Sequence, residues 1–176
     1  MLGNCFVLLI MILLSCFLLV VIGKDLLFSG TIFFGPVFVP SAEDKLKLML
    51  ELAEPKPGEK IVDLGSGDGK ILVELARKGY QSEGMEINPI LVRRSRKNLR
   101  KLRLEQWAAV RRANFWKSDF SSYDLVFLYG MKHVMKRLEK KMLAELKPGA
   151  RVVSNYFRFP DWRPEKVRDE VRLYRR

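Results

Sequence analysis

Asp63, Gly65, Gly67 and Gly69 stand at alternate positions in the run Lys-Ile-Val-Asp-Leu-Gly-Ser-Gly-Asp-Gly-Lys, Lys60 to Lys70. Ile61, Val62 and Leu64 read as a short buried strand, and Ile71, Leu72 and Leu75 keep helical spacing. Strand, glycine turn and helix form the opening unit of a nucleotide-binding α/β sheet. Glycines let the chain turn sharply and let backbone N–H groups approach a ligand closely. The loop therefore nominates Asp63, Gly65, Ser66, Gly67, Asp68 and Gly69 as cofactor-binding residues. A dinucleotide loop asks for glycine where Lys70 stands, and a P-loop asks for Gly-Lys-Ser/Thr; neither fits. Glu86 follows 19 residues after Gly67, one strand–helix–strand unit on. An acid at that strand end accepts hydrogen bonds from both ribose hydroxyls. Asn88 and Pro89 then suit the N-cap and first turn of the next helix.

Asp-x-Gly-x-Gly-x-Gly resembles motif I of the class I S-adenosylmethionine (SAM) methyltransferases. The resemblance implies that the glycines lie under the methionine and ribose portion of SAM. Methyl transfer from a sulfonium is an in-line displacement that needs alignment and a free lone pair. No obvious base is present. Tyr129, at the carboxyl end of the fourth expected strand, is the catalytic candidate, because ligands bind outside those strand ends. His133, the single histidine, lies on the following helix and reads as structural. Asp119 and Asp124 read as turn and strand-start residues. The two cysteines, Cys5 and Cys16, lie eleven apart on one expected helix. They cannot pair within a chain, and no metal cluster is expected.

The elements that must position this chemistry follow in order. Leu2 to Gly23 carries no charge over 22 residues, roughly 33 Å as a helix, enough to cross a bilayer core. No basic region precedes it, so an uncleaved anchor over residues 1–23 is preferred to a signal peptide. Lys24 and the later basic charge place the domain on the cytoplasmic face of the cell membrane. Residues 24–40 are apolar, but Gly30, Gly35, Pro36 and Pro40 forbid one long helix. They read as a connector along the membrane interface, and residues 41–176 as one domain. Ser41 and Asp44 suggest a capping box for a helix with Leu46, Met49, Leu50 and Ala53 buried.

Strands are expected at Tyr80–Met85, Ala109–Ala113, Tyr123–Tyr129 and Arg151–Tyr156, with one last edge strand in Val167–Tyr174. A helix from Pro89 to about Arg103 places Leu91, Ser95, Leu99 and Leu102 on its apolar stripe. Its remaining positions are dense in arginine and lysine, and the whole chain carries a net charge of +12. Anionic lipid and nucleic-acid phosphate both suit such a surface. Alternating strands and helices make the fold class α/β, a doubly wound, mostly parallel Rossmann-like sheet with helices on both faces.

The likeness then narrows. Gly-Pro-Val-Phe-Val-Pro-Ser, Val-Asp-Leu-Gly-Ser-Gly-Asp-Gly-Lys, Gly-Met-Glu-Ile-Asn-Pro-Ile-Leu-Val-Arg, Asn-Phe-Trp-Lys and Leu-Lys-Pro-Gly-Ala-Arg-Val-Val-Ser occur in that order. Together they resemble the small membrane-anchored protein-lysine methyltransferases of the ATP synthase c-subunit and the adenine nucleotide translocase. That resemblance implies SAM as cofactor and a membrane-protein lysine as acceptor. Asn114 stands where the family usually has aspartate, and an amide still hydrogen-bonds adenine. Only part of the closing antiparallel hairpin is expected before Arg176, and a mitochondrial transit peptide is unsupported. Asn-Pro-Pro-Tyr, the signature of base amino methylation, is absent. Methylation of RNA, a lipid or a quinone, and SAM binding without catalysis, are the alternatives.

Overall fold

The computed structural model describes residues 11–16, 43–129 and 132–176. The chain divides into two units, Met1–Val37 and Phe38–Arg176. In the first, residues 11–16 are helical. The rest of the expected anchor and all of the connector lie outside the described residues, as does Ser41 of the expected capping box. Among the described residues no helix is long and apolar enough to cross a membrane.

The second unit runs α1 (Glu43–Ala53), β1 (Ile61–Leu64), α2 (Lys70–Arg77), β2 (Ser82–Glu86), α3 (Pro89–Lys101) and β3 (Ala108–Arg112). A 3-10 turn (Phe115–Lys117), β4 (Leu125–Leu128), α4 (Lys132–Glu145), β5 (Arg151–Asn155), β6 (Lys166–Arg168) and β7 (Val171–Arg175) follow. Seven strands form one sheet in the order β3-β2-β1-β4-β5-β7-β6. The first five are parallel, and β7 runs antiparallel to both β5 and β6. The expected doubly wound sheet is present. Its closing hairpin is complete, however. Val171–Arg175 lies inside the sheet, paired with β5, and the edge belongs to β6. Charge hides this in the sequence: all three residues of β6 are exposed, so no apolar alternation announces a strand.

Side chains alternate between two apolar layers, as a pleated strand requires. Val62, Val126 and Val152 pack with Met135, Leu138 and Met142 of α4. Ile61, Leu125, Phe127 and Val153 pack with Leu46, Met49 and Leu50 of α1 and with Leu75 of α2. Leu72, Val92, Leu99 and Val110 join α2, α3 and β3 in a third cluster. The stripe of α3 is Val92, Ser95 and Leu99. Leu102 falls after the helix end and is 41% exposed, which corrects its expected place in that stripe. Arg151 is buried on β5. Its Nη1 donates to the carbonyls of Ala53 (2.7 Å) and Glu54 (2.9 Å), the loose end of α1, and its Nη2 pairs with Glu59.

Candidate functional site

The parallel strands β1, β2, β3 and β4 end on one edge of the sheet, and the sequence-nominated residues gather there. At the end of β1 the chain turns back onto β2: Gly65 N and Ser66 N both donate to Met85 O, at 2.8 and 3.2 Å. Gly69 N then donates to Ser66 O at 2.9 Å, closing the turn, and α2 begins. Gly65, Gly67 and Gly69 all have positive φ, a left-handed conformation that favours glycine. A Cβ built on Gly65 meets nothing within 4 Å, so open space lies over that position. Gly69 differs: its Cβ would lie 2.1 Å from Ser95 Oγ.

Glu86, at the end of β2, is 7% exposed. Its Oε2 accepts from Gly67 N at 3.0 Å and its Oε1 accepts from Asn88 N at 2.8 Å. The acid thus ties the glycine loop to the start of α3. Each carboxylate oxygen keeps a further lone pair, so two ribose hydroxyls can still be accepted. Asp63 is buried at 5% exposure on β1. Desolvation, with the Glu86 charge beside it, pushes its carboxyl up to about 8. Ser66 Oγ is buried without a hydrogen-bond partner. Asp68 is buried, and its backbone carbonyl accepts from Asn98 Nδ2 at 3.1 Å.

Ala113 N donates to Glu86 O at 3.0 Å, which sets Asn114 beside the end of β2. Asn114 caps the 3-10 turn, its Oδ1 accepting from Trp116 N at 3.0 Å. On the other flank, Leu64 pairs in register with Leu128, so the next residue, Tyr129, stands alongside Gly65. Tyr129 is half-buried and edge-on to Phe157, with ring centroids 6.2 Å apart. Burial first, then Tyr156 and Glu170, raise its phenol above the ordinary tyrosine value. It is therefore protonated at neutral pH and is not a general base. His133 lies exposed on α4. Asp119 and Asp124 serve structure: Asp119 accepts from Ser121 N, and Asp124 from Lys60 N.

Three residues outside the nominated set shape the loop. Asn98 anchors Asp68, Ser95 fills the space against Gly69, and Gly84 lets the loop approach β2. A Cβ at Gly84 would lie 2.6 Å from both Ser66 Oγ and Leu72 Cδ1. A glycine inside a strand was the available signal, since it marks close backbone approach.

Comparison with known proteins agrees with this geometry. Residues 63–166 match the family model described as the ANTKMT methyltransferase domain. The ATP synthase C-subunit lysine N-methyltransferase of Homo sapiens is 36% identical over 133 residues, 76% of this chain and 57% of that protein. The chain thus spans a little over half the length of such curated relatives. A protein-lysine N-methyltransferase of Saccharolobus islandicus is 33% identical, over 74% of this chain and 82% of its own length. Among solved structures, an RNA methyltransferase from Salinibacter ruber in complex with S-adenosyl-L-homocysteine superposes with a TM-score of 0.72 at 33% identity. That match covers 78% of this chain and 92% of the other. With the family model running from Asp63 through the glycine loop and Glu86 to the start of β6, this chain belongs to the ANTKMT methyltransferase family.

Proposed function

We propose that the chain is a SAM-dependent methyltransferase whose acceptor is a lysine side chain of a membrane protein. The observation that carries the reading is the Glu86 carboxylate, held by Gly67 N and Asn88 N between an open glycine loop and Asn114. The residues fit the cofactor. Gly65 has free space above it, Glu86 has lone pairs for a ribose, and the Asn114 amide N–H groups are left for adenine once Oδ1 is engaged. When bound, SAM supplies an electrophilic methyl on a sulfonium. The chain contributes alignment: a backbone cradle, a hydrogen-bonded ribose and an acceptor edge at Tyr129.

Lysine as acceptor is supported by the relatives, which are named for that activity. Membrane placement at the cytoplasmic face is supported by the uncharged run Leu2–Gly23 and by α3. Arg93, Arg94, Lys97, Lys101 and Arg103 are exposed and, among the described residues, form no ion pair with a carboxylate. Each contributes about 1 kcal/mol of attraction near an anionic bilayer. Ile90, at the start of α3, is 73% exposed beside them. A site held there meets lysines at the ends of membrane helices, which reach toward the interface.

A second reading, RNA methylation, is favoured by the Salinibacter ruber neighbour and by the same basic helix. Mass spectrometry of membrane proteins from cells with and without the protein separates the two. Loss of methyl-lysine from one or a few membrane proteins is expected. Unchanged proteins with a methyl group missing from RNA, lipid or quinone would overturn the lysine reading.

A further inference from the structure

Beyond the carboxyl ends of β4 and β5, three aromatic rings stand together. Phe157 lies between Tyr129 and Tyr156, edge-on to both, with centroids 6.2 and 4.8 Å away. Leu128 and Ser154 pair in register, so Tyr129 and the β5 end are neighbours by sheet geometry. The same β4 register sets Tyr129 beside Gly65. The cluster therefore adjoins the cofactor loop on the side away from Glu86 and Asn114.

Tyr156 carries the strongest signal. Four described residues other than glycine have positive φ. Glu54 and Arg103 follow helix ends, and Asp169 turns the β6–β7 hairpin. Such positions tolerate the left-handed conformation. Tyr156 is of a different kind: it follows a strand, has φ 71°, and is an aromatic residue. Backbone bonds hold it there. Its N–H donates to Glu170 O at 2.8 Å, and its carbonyl accepts from Arg172 Nη1 at 3.0 Å. Ser154 Oγ fixes the next turn through Phe157 O at 2.6 Å. Yet the Tyr156 side chain is not core, since the residue is 50% exposed. A demand from folding alone would place glycine or asparagine at such a φ. An exposed ring on a strained backbone, beside a cofactor loop, marks a contact with something outside the chain.

We infer that Tyr129, Tyr156 and Phe157 form the acceptor subsite, the slot that receives the lysine side chain and delivers its amine to the methyl group. This inference rests on the lysine reading above. The chemistry matches. A lysine stem of four methylenes packs along ring faces, and an ammonium is attracted to those faces. The ammonium must first release its proton to solvent. The phenol oxygens of Tyr129 and Tyr156 then accept hydrogen bonds from the amine N–H groups, turning its lone pair toward the methyl carbon, whose bond to sulfur would break as the N–C bond forms. Tyr129 and Tyr156 are therefore positioning residues.

The test uses the full chain, SAM with a labelled methyl group, and a detergent-solubilised membrane-protein fraction, with label counted as methyl-lysine after acid hydrolysis. Tyr156→Ala should raise the half-saturating concentration of the fraction by about tenfold. SAM affinity by calorimetry should stay at the parent value. Tyr156→Phe, which keeps the ring but not the oxygen, should restore most of the lost acceptor affinity while its kcat stays below the parent's. Parent-like half-saturation in Tyr156→Ala would overturn the subsite while leaving the lysine reading intact. A parallel fall in SAM affinity would also overturn it, since the ring would then belong to the cofactor loop. A parent protein that binds SAM but labels no lysine would overturn the functional reading and the subsite with it.

Discussion

Glu86 has a structural task beside the ligand-binding one we propose, and this alters what its removal does. In Glu86→Ala, Gly67 N and Asn88 N lose their acceptor together with any bound ribose. SAM affinity should fall roughly ten- to a hundredfold, and the free protein should lose about 1–3 kcal/mol in urea denaturation. Unchanged SAM affinity in calorimetry would remove Glu86 from the cofactor site. Asp63 predicts a pH dependence. Its folded value is raised from 3.8 to about 8, so the folded state holds a proton that the unfolded state releases. Its contribution to stability is fully present below the unfolded value and is lost as pH rises through the folded one. Stability of the free protein should therefore fall between about pH 4 and pH 8, by at most about 1.4 kcal/mol per pH unit. Asp63→Asn should flatten that slope in denaturation series at several pH values. An identical slope in the variant would assign it to other groups.

At the scale of elements, the junction of the glycine loop with α2 and α3 is tight. Gly69→Ala combines a positive φ with a contact on Ser95 Oγ. It should cost about 2–4 kcal/mol. Ser95→Ala removes a buried hydroxyl that has no partner, so alone it should be neutral or mildly stabilising. Placed in Gly69→Ala, it should recover part of the loss; strict additivity in the double-mutant cycle would show that Ser95 does not limit the approach. Arg151→Ala uncaps α1 and strands Glu59, and about 3–5 kcal/mol of stability should go with it. Denaturation midpoints check this, and a loss under about 1 kcal/mol would contradict the tie between α1 and β5. Most elements were legible because their apolar period was strong: α1, β1, α2 and β4 all bury the expected stripes. The misses have physical causes. Leu102 lies past the last turn of α3, beyond the reach of helical periodicity. Arg151 was legible only as the first residue of a strand, because its partners are 92 to 98 positions away.

On the scale of the whole molecule, parallel register brings residues from Asp63 to Tyr129 to one edge. Spacing reveals such convergence when the residues sit at or just past strand ends, as Glu86 and Asn114 do. The Tyr156–Phe157 pair escaped the sequence reading for a different reason. Its meaning depends on ring contacts and on a backbone φ held by Glu170, in the β6–β7 turn, and by Arg172 of β7. Three features then meet in one chain: a glycine loop tied to Glu86, an aromatic edge at Tyr129, and a basic helix with exposed Ile90. We propose that they serve the cofactor, the acceptor amine and an anionic bilayer in turn. The most direct test is methyl transfer by the purified full chain in phosphatidylglycerol-containing vesicles holding membrane proteins, with one arm treated with RNase. Label that survives RNase and appears as methyl-lysine in protein after hydrolysis is expected. Label lost to RNase or recovered in lipid, with no methyl-lysine, would contradict it.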